Sequence, residues 1–380
     1  MRVLIVNPSF SVYGGAELLI VRLANYLTER GVENAILTTY ILPEVKADLK
    51  STEVNVVKRF PANRIGEIIA LRRGIAGMQK DFDVINVHNF PSEIAVFGCK
   101  KPVVWMCNEP ELHLSLELPF SLKFKAFLRV IRPFEEFVVR NYVKRAIVAD
   151  GFNAKRFKAI YGIEPEIIHY GIDCGFFSGG DAGRAREEFG LKDKFVILHI
   201  GMLTPMKNQI DSLRTLKAVR SGIPNALLAL AGSGGGEYKR ALDDYVRENG
   251  LGDNVLFTGH IDRQRLRDLI HASDVVLHPI KEQGGWLSPF EALCAGKPVV
   301  VSNEMTASEI IKREYIGVVT NDYAGAITDI RENPARYKEM AARGAEFVRI
   351  NLSWETFCGR MAELFRKESG LRLSNTTEKW

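Results

Sequence analysis

The sequence predicts an α/β protein of two doubly wound parallel-sheet domains, and three observations predict it. At 380 residues the chain holds two to three domains of roughly 150 residues each. Short uncharged apolar runs alternate with longer stretches of helical periodicity, the pattern of strands buried on both faces between crossover helices. The runs form two series, parted by Ser178-Gly179-Gly180-Asp181-Ala182-Gly183, the most linker-like composition in the chain.

The elements follow in order. Residues 3–6 read as a first strand, because the chain turns polar at Asn7, too early for the apolar core of a secretory signal. Leu18, Leu19, Leu23, Ala24 and Leu27 then recur at helical spacing through 16–28. Further runs lie at 35–39, 84–87, 103–106, 146–149 and 167–169. The second series lies at 195–200, 226–231, 255–257, 275–277, 299–301 and 317–319. The hinge is expected near 174–192, and a last amphipathic helix from Ser353-Trp354 through Lys367. The polar tail after Gly370 is expected to fray. No repeat of solenoid length, low-complexity segment or run of eighteen apolar residues appears, so no bilayer span is expected.

Composition narrows the class. With 46% hydrophobic and 26% charged residues, the chain is neither disordered, collagen-like nor disulfide-rich. Its five cysteines, at 99, 107, 174, 294 and 358, form no C-x-x-C pair. A disulfide framework or zinc site is therefore not expected, and a reducing cytosol fits best. The net charge of +5 is too small to imply nucleic acid, and none is expected as a partner.

In open α/β sheets, ligands bind at the carboxyl ends of the strands, and with two domains the natural site is the cleft between them. Gly14-Gly15-Ala16-Glu17 follows the first strand and opens a helix. It reads equally as a close-approach loop for a ligand and as a turn with a helix cap. His88 ends its strand and is a candidate proton handler or hydroxyl binder, against a hydrogen-bonded structural histidine. Gly201 to Asn208 follows the first strand of the second series. There Lys207, expected to begin a helix, suits a diphosphate, though such lysines are more often solvated.

Gly232-Ser233-Gly234-Gly235-Gly236-Glu237 fails the G-x-G-x-x-G pattern at Glu237. Asp81-Phe82-Asp83 precedes a strand, the wrong end for a ligand, and reads as structural. The most informative stretch is 282–300. It comprises Gly284-Gly285, Trp286-Leu287-Ser288-Pro289 at a helix start, Glu291 one turn inside, Gly296 as a stop and then a buried strand. Its free amides suit a diphosphate, and Glu291 suits two ribose hydroxyls.

These motifs together resemble the GT-B glycosyltransferases of the large retaining family four, over nearly the whole chain. Gly14-Gly15-Ala16-Glu17 resembles the family's G-G-x-E loop, 84–88 its D-V-x-H-x-H region, and Tyr170-Gly171-Ile172-Asp173 its segment before the hinge. Phe257-Thr258-Gly259-His260 resembles the base-contacting loop, and 283–296 resembles E-G-x-G-x-x-x-x-E-A-x-A-x-G. The resemblance implies a GT-B fold: two doubly wound Rossmann-like domains with an inter-domain cleft. Residues 1–175 would bind the acceptor and 190–352 the nucleotide sugar, with the 353–370 helix crossing back to the N-domain. It implies transfer of a hexose from a UDP- or GDP-sugar to a glycan or lipid-linked acceptor, with no cofactor and no metal.

His88, Lys207 and Gln283 would serve catalysis. Gly14, Gly15, Gly201, Lys207, Gly232, Gly259, Gly284, Gly285, Trp286, Leu287, Ser288 and Glu291 would bind the donor. Two residues depart from the pattern: Met202 stands where the family usually has Arg, and Gln283 where it has the first Glu of the E-x7-E pair. The alternatives are a GT-B nucleotide-sugar epimerase and a catalytically silent sugar-nucleotide-binding subunit.

One segment stands apart. Residues 118–145 carry seven basic residues against two acidic ones and interleave six aromatics. This reads as an anionic membrane-surface element, placing a cytoplasmic protein peripherally on the inner face of the membrane. The alternative is a pair of helices whose phenylalanines fill the core.

Overall fold

The computed structural model describes residues 1–108, 110, 122–281 and 286–370. The chain divides into two compact units. One holds Met1–Gly171 and the chain from Trp354 onward, and the other holds Ile172–Ser353.

The first unit is built on a parallel sheet of seven strands: β1 (Arg2–Val6), β2 (Glu33–Thr38), β3 (Glu53–Val56), β4 (Val84–His88), β5 (Val103–Met106), β6 (Val143–Val148) and β7 (Glu166–Ile167). Their order is β3-β2-β1-β4-β5-β6-β7, so the direction of winding reverses between β1 and β4. Both faces of the sheet are covered, which is why β1 shows no polar alternation. Val3 and Ile5 pack with Ile20, Leu23, Phe357 and Phe365, while Leu4 and Val6 pack with Leu71, Ile75 and Phe157 on the other face. Each such side chain taken from water contributes about 1.5–3 kcal/mol. The sequence reading contains no counterpart of β3. This is an edge strand whose residues are only partly buried, so Glu-Val-Asn-Val has no apolar run to betray it.

The second unit repeats the plan with β8 (Phe195–Ile200), β9 (Ala226–Ala231), β10 (Val255–Gly259), β11 (Val275–His278), β12 (Val299–Val301) and β13 (Val318–Val319). The order is β10-β9-β8-β11-β12-β13, again all parallel, with its reversal between β8 and β11.

The expected hinge at 174–192 is corrected. The boundary falls at Gly171/Ile172, where the entering and leaving chains pair through the Ile172 amide and the Leu352 carbonyl at 2.7 Å. The Ser178–Gly183 stretch is packed within the second unit. A Cβ on Gly180 would meet His271 Cδ2 at 2.2 Å, and the Asp181 amide donates to Asp268 at 2.9 Å. Its glycines allow close packing rather than looseness.

The last helix, Trp354–Ser369, belongs to the first unit, where Phe357, Met361, Leu364 and Phe365 are buried against the helix Gly15–Glu29. Gly171 admits it: a Cβ there would lie 2.6 Å from Trp354 Cα. Glu368, almost fully buried, pairs with Arg145 at 2.7 Å and Lys144 at 3.3 Å.

In its described part the basic segment differs from the two-helix alternative. Its described part is one helix, Leu122–Tyr142, followed directly by β6. Four of the cations described are paired: Arg132 and Arg140 with Glu136, and Lys144 and Arg145 with Glu368. Phe127 is half-buried against Phe90, Ile94 and Leu128, while Val130, Phe134 and Phe137 are 79%, 42% and 49% exposed along one helix face.

Candidate functional site

At the carboxyl edge of the first sheet, Gly14 caps the helix Gly15–Glu29, and its amide donates to Glu17 Oε2 at 3.1 Å. The glutamate of this motif thus satisfies the cap itself, in the manner of a capping box. His88 ends β4, fully buried, with Nε2 against Asn86 Oδ1 at 2.7 Å and Nδ1 without a partner. Burial pushes its pKa down to about 3, so the ring is neutral at pH 7.

Beside it runs a chain of amides that sequence reasoning missed. The Tyr170 hydroxyl donates to Asn108 Oδ1, Asn108 Nδ2 to Asn89 Oδ1, and Asn89 Nδ2 to Asn7 Oδ1, each at 2.9 Å. Asn89 adopts φ +52°, a left-handed conformation that asparagine tolerates better than most residues. Asp83 accepts from the Arg2 amide at 2.8 Å ahead of β4, and Asp81 closes the short 3₁₀ turn Gln79–Asp81. The D-x-D thus lies at the amino end of the sheet.

At the carboxyl edge of the second sheet, Gly201, Gly232 and Gly259 end the neighbouring strands β8, β9 and β10. The Gly201 amide donates to the Ala231 carbonyl at 2.9 Å, and the Gly232 amide to the Gly259 carbonyl at 3.0 Å. Gly232 has φ +157°, and a Cβ there would lie 2.1 Å from the Gly201 carbonyl oxygen. At Gly232 a side chain therefore cannot fit, while Gly201 and Gly259 have room for a Cβ but hold φ +153° and +68°, which side-chain-bearing residues rarely adopt.

Lys207 lies over this edge, its methylenes 3.5 Å from where a Gly201 Cβ would stand. It does not begin a helix as expected. The helix is Gln209–Val219, and Lys207 sits in the preceding turn, its amide donating to the Thr204 carbonyl at 3.0 Å, with Asn208 left-handed at φ +58°. Met202 is 64% exposed.

The helix after β11 is Leu287–Cys294, led by the buried Trp286, whose ring stands 5.0 Å from Phe290. Leu287 and Ser288 form its first turn. Gln283, Gly284 and Gly285 lie outside the described residues. Glu291 is partly buried, and that desolvation raises its pKa to about 7 against the opposing pull of Arg263. Asp173, the other neighbour, pushes it upward. Asp173 itself pairs with Arg263 at 3.4 Å, and Arg263 lies over the Phe176 ring at 4.4 Å.

Two further features escaped the sequence. Cys174 and Cys294 form a disulfide across 120 residues, with Cα atoms 5.0 Å apart, tying the Glu291 helix to the segment after Asp173. This corrects the expectation of unpaired cysteines: spacing reveals only local pairs, and the fold supplies this one. With it goes the cysteine-based argument for a reducing compartment. The second feature is the histidine pair His199 and His278, at the ends of β8 and β11, with ring centroids 5.6 Å apart. Their one sequence signal was a histidine inside each otherwise apolar run, Phe-Val-Ile-Leu-His-Ile and Val-Val-Leu-His.

Two switched parallel sheets, one ending in a glycine edge beneath a lysine and beside a helix start, define a nucleotide-binding α/β protein of GT-B architecture. The relatives specify it further. Residues 13–176 match Glycosyltransferase Family 4 and residues 181–347 match Glycosyl transferases group 1; the chain belongs to this glycosyltransferase family.

A GDP-mannose-dependent alpha-(1-6)-phosphatidylinositol monomannoside mannosyltransferase of Mycolicibacterium smegmatis is 28% identical over 229 residues, 56% of this chain and 59% of that protein. The match thus spans under two thirds of that relative. A D-inositol 3-phosphate glycosyltransferase of Thermomonospora curvata is 24% identical over 94% of this chain and 92% of its own length. Among solved structures, Anabaena HepE in complex with UDP and glucose superposes with a TM-score of 0.80 at 20% identity, covering 97% of this chain and 100% of that one. WaaG, a glycosyltransferase involved in lipopolysaccharide biosynthesis, gives 0.73 at 16% identity, covering 96% and 99%.

Proposed function

We propose that the protein transfers a hexose, with retention and without a metal, from a UDP- or GDP-sugar bound by the second unit to a lipid-linked or glycan acceptor. The observation that carries this is the bare glycine edge of β8, β9 and β10 with Lys207 lying over it. Backbone there approaches a diphosphate without side-chain obstruction, and Lys207 offsets the charge that gathers on the departing diphosphate. The first amides of Leu287–Cys294 aim their dipole at the same anion. Glu291, when ionised, accepts from two ribose hydroxyls. Catalysis is then chiefly positioning and charge stabilisation. His88 is neutral, so it supplies no positive charge to the sugar; its unpartnered Nδ1 is buried and meets a sugar hydroxyl only if the site uncovers it.

The acceptor reading draws on the printed specificities of the phosphatidylinositol- and inositol-phosphate-directed relatives. It also draws on the exposed stripe Val130, Phe134 and Phe137, with Arg129 about a quarter turn to one side. Such a stripe enters the headgroup boundary of an anionic leaflet while Arg129 meets a phosphate. No described helix is long and apolar enough to cross a membrane. A peripheral place on the cytoplasmic face follows from this reading.

The test incubates purified protein with UDP- and GDP-sugars, with and without inositol-phosphate and phosphatidylinositol acceptors. Product anomers are read by NMR, with chelator in a parallel arm. Transfer with retained configuration in chelator is expected; sugar release without transfer, or activity restored only by a divalent ion, overturns the reading. Co-sedimentation with phosphatidylglycerol vesicles is expected for the wild type and lost in Phe134→Ser/Phe137→Ser.

A further inference from the structure

Residues 57–80 of the first unit carry six basic residues against one acidic residue. The single acid is used internally: Glu67, 1% exposed, pairs with Arg64 at 2.7 Å and Arg59 at 3.6 Å. Arg72 donates to the Phe97 carbonyl at 3.0 Å. Lys58 and Arg73 are exposed and meet no carboxylate among the described residues. Both line a groove between β3 and the helix Arg64–Met78. Its apolar walls include Val56, Phe60 and Ile69, which are 54%, 88% and 37% exposed.

Phe60 is held out into water by a braced loop. The loop lies so close to the helix that a Cβ on Gly66 would stand 1.8 Å from the Pro61 carbonyl oxygen. The Asn63 amide donates to that carbonyl at 2.8 Å, and Asn63 Oδ1 accepts from the Gly66 amide at 3.0 Å. Arg59 and Arg64, on either side of Phe60 and Pro61 in the chain, converge on the buried Glu67. A single exposed apolar side chain needs no explanation. A phenylalanine fixed in water beside further apolar surface and two cations without acidic partners marks an interaction surface.

We propose that this groove is a bilayer-docking surface, in which Phe60 enters the headgroup boundary of an anionic leaflet while Lys58 and Arg73 meet lipid phosphates. Charge and apolarity select the occupant together. A soluble polyanion would engage the cations and leave Val56, Phe60 and Ile69 in water, whereas a leaflet offers phosphates and acyl chains within one headgroup depth. The groove is also joined to the stripe at Phe134 through shared packing. Ile68 of the groove's helix and Ile131 of the stripe's helix both pack on the cluster Phe90, Ile94 and Leu128. Two contacts on one compact unit reinforce each other as linked sites do. The inference rests on the peripheral-membrane reading of the protein and adds a second contact to it.

Co-sedimentation of the full chain with phosphatidylglycerol and phosphatidylcholine vesicles provides the test. The variants are Phe60→Ser, Lys58→Glu/Arg73→Glu and Phe134→Ser/Phe137→Ser, all at exposed positions. Wild type should partition onto phosphatidylglycerol and not onto phosphatidylcholine. Partitioning should fall about tenfold in Phe60→Ser, as for an aromatic side chain returned to water. It should fall about tenfold or more in Lys58→Glu/Arg73→Glu, since each cation near an anionic leaflet is worth about fivefold. Phe60→Trp should add blue-shifted emission that brominated phosphatidylglycerol quenches, over the background of the four native tryptophans.

Partitioning within about twofold of wild type in both groove variants, or unquenched emission from Phe60→Trp on bound protein, overturns the groove and leaves the stripe standing. Binding retained in Phe134→Ser/Phe137→Ser but lost in the groove variants removes the stripe and supports the groove. Wild type that stays in the supernatant with anionic vesicles at low salt overturns both. Capture of heparin without vesicle binding assigns the cations to a soluble polyanion and overturns the proposal as well.

Discussion

The two sheets share a winding and a switch point, yet their carboxyl edges are finished in different ways. In the first unit most of the edge is knitted to itself: Tyr170, Asn108, Asn89 and Asn7 bond one another in a chain and Glu17 closes the Gly14 cap, leaving His88 Nδ1 unpaired. In the second unit the edge is bare glycine backbone over unsatisfied polar groups: His199 Nε2, both nitrogens of His278, and Gln209 Oε1. A self-satisfied network presents a fixed shape, whereas open polar atoms await a partner. Equal topology therefore does not imply equal chemistry.

The largest effect separates the two units themselves. A chain ending at Ser353 loses buried Phe357, Met361, Leu364 and Phe365, each worth about 1.5–3 kcal/mol, together comparable to a domain's whole stability of about 5–15 kcal/mol. Hydrogen exchange should show β1–β7 unprotected while β8–β13 keep their protection. Loss of protection in both units alike would mean that they do not fold independently.

Next comes the covalent tie, which only the second unit has. Reduction, or Cys294→Ser, should lower that unit's stability by about 2–4 kcal/mol and leave the first unit's transition in place. Scanning calorimetry with and without dithiothreitol reads this directly. An unchanged profile would mean that the thiols are not bonded in solution.

The glycines sharpen the contrast between the edges. Gly232→Ala drives a Cβ into the Gly201 carbonyl and forces a conformation rare for side-chain-bearing residues, a cost on the order of 1–3 kcal/mol. It should also abolish nucleotide binding. Gly14→Ala, with negative φ and only the Glu17 carboxylate 3.1 Å away, should shift the melting temperature little and leave nucleotide affinity unaltered. Equal damage from both would erase the distinction drawn between the edges.

The smallest effect is a pH dependence. Burial raises the Glu291 pKa to about 7, so its contribution to stability is greatest below the unfolded value and is lost as pH rises through about 7. Ribose binding runs the other way, because the carboxylate is the better acceptor. Nucleotide affinity should fall roughly tenfold between about pH 8 and pH 6 in calorimetry, and Glu291→Gln should flatten that slope. A slope that persists in Glu291→Gln assigns the titration to another group.

How much of this was legible depended on how local the signal was. The first strand, the histidine at the end of β4 and the helix after β11 announced themselves within a dozen residues each, because burial on both faces leaves an uninterrupted apolar run. Lys207 was found but set at a helix start, since nothing in Met206-Lys207-Asn208 reveals that Asn208 turns left-handed and delays the helix to Gln209. The stretch at 178–183 looked like a linker because glycine serves both flexibility and close packing, and only His271 against Gly180 tells the two apart.

Sequence alone therefore determined the elements that local periodicity encodes: two series of buried strands, their crossover helices, and glycines placed where strands end. Tertiary structure alone decided the partnerships between distant residues. Cys174 meets Cys294 and His199 meets His278 because the folded order of strands brings those ends together. No spacing rule reaches across 80 to 200 residues, since closing so long a loop costs nearly the same for any pair and only the packing of the finished sheets selects which pair gains.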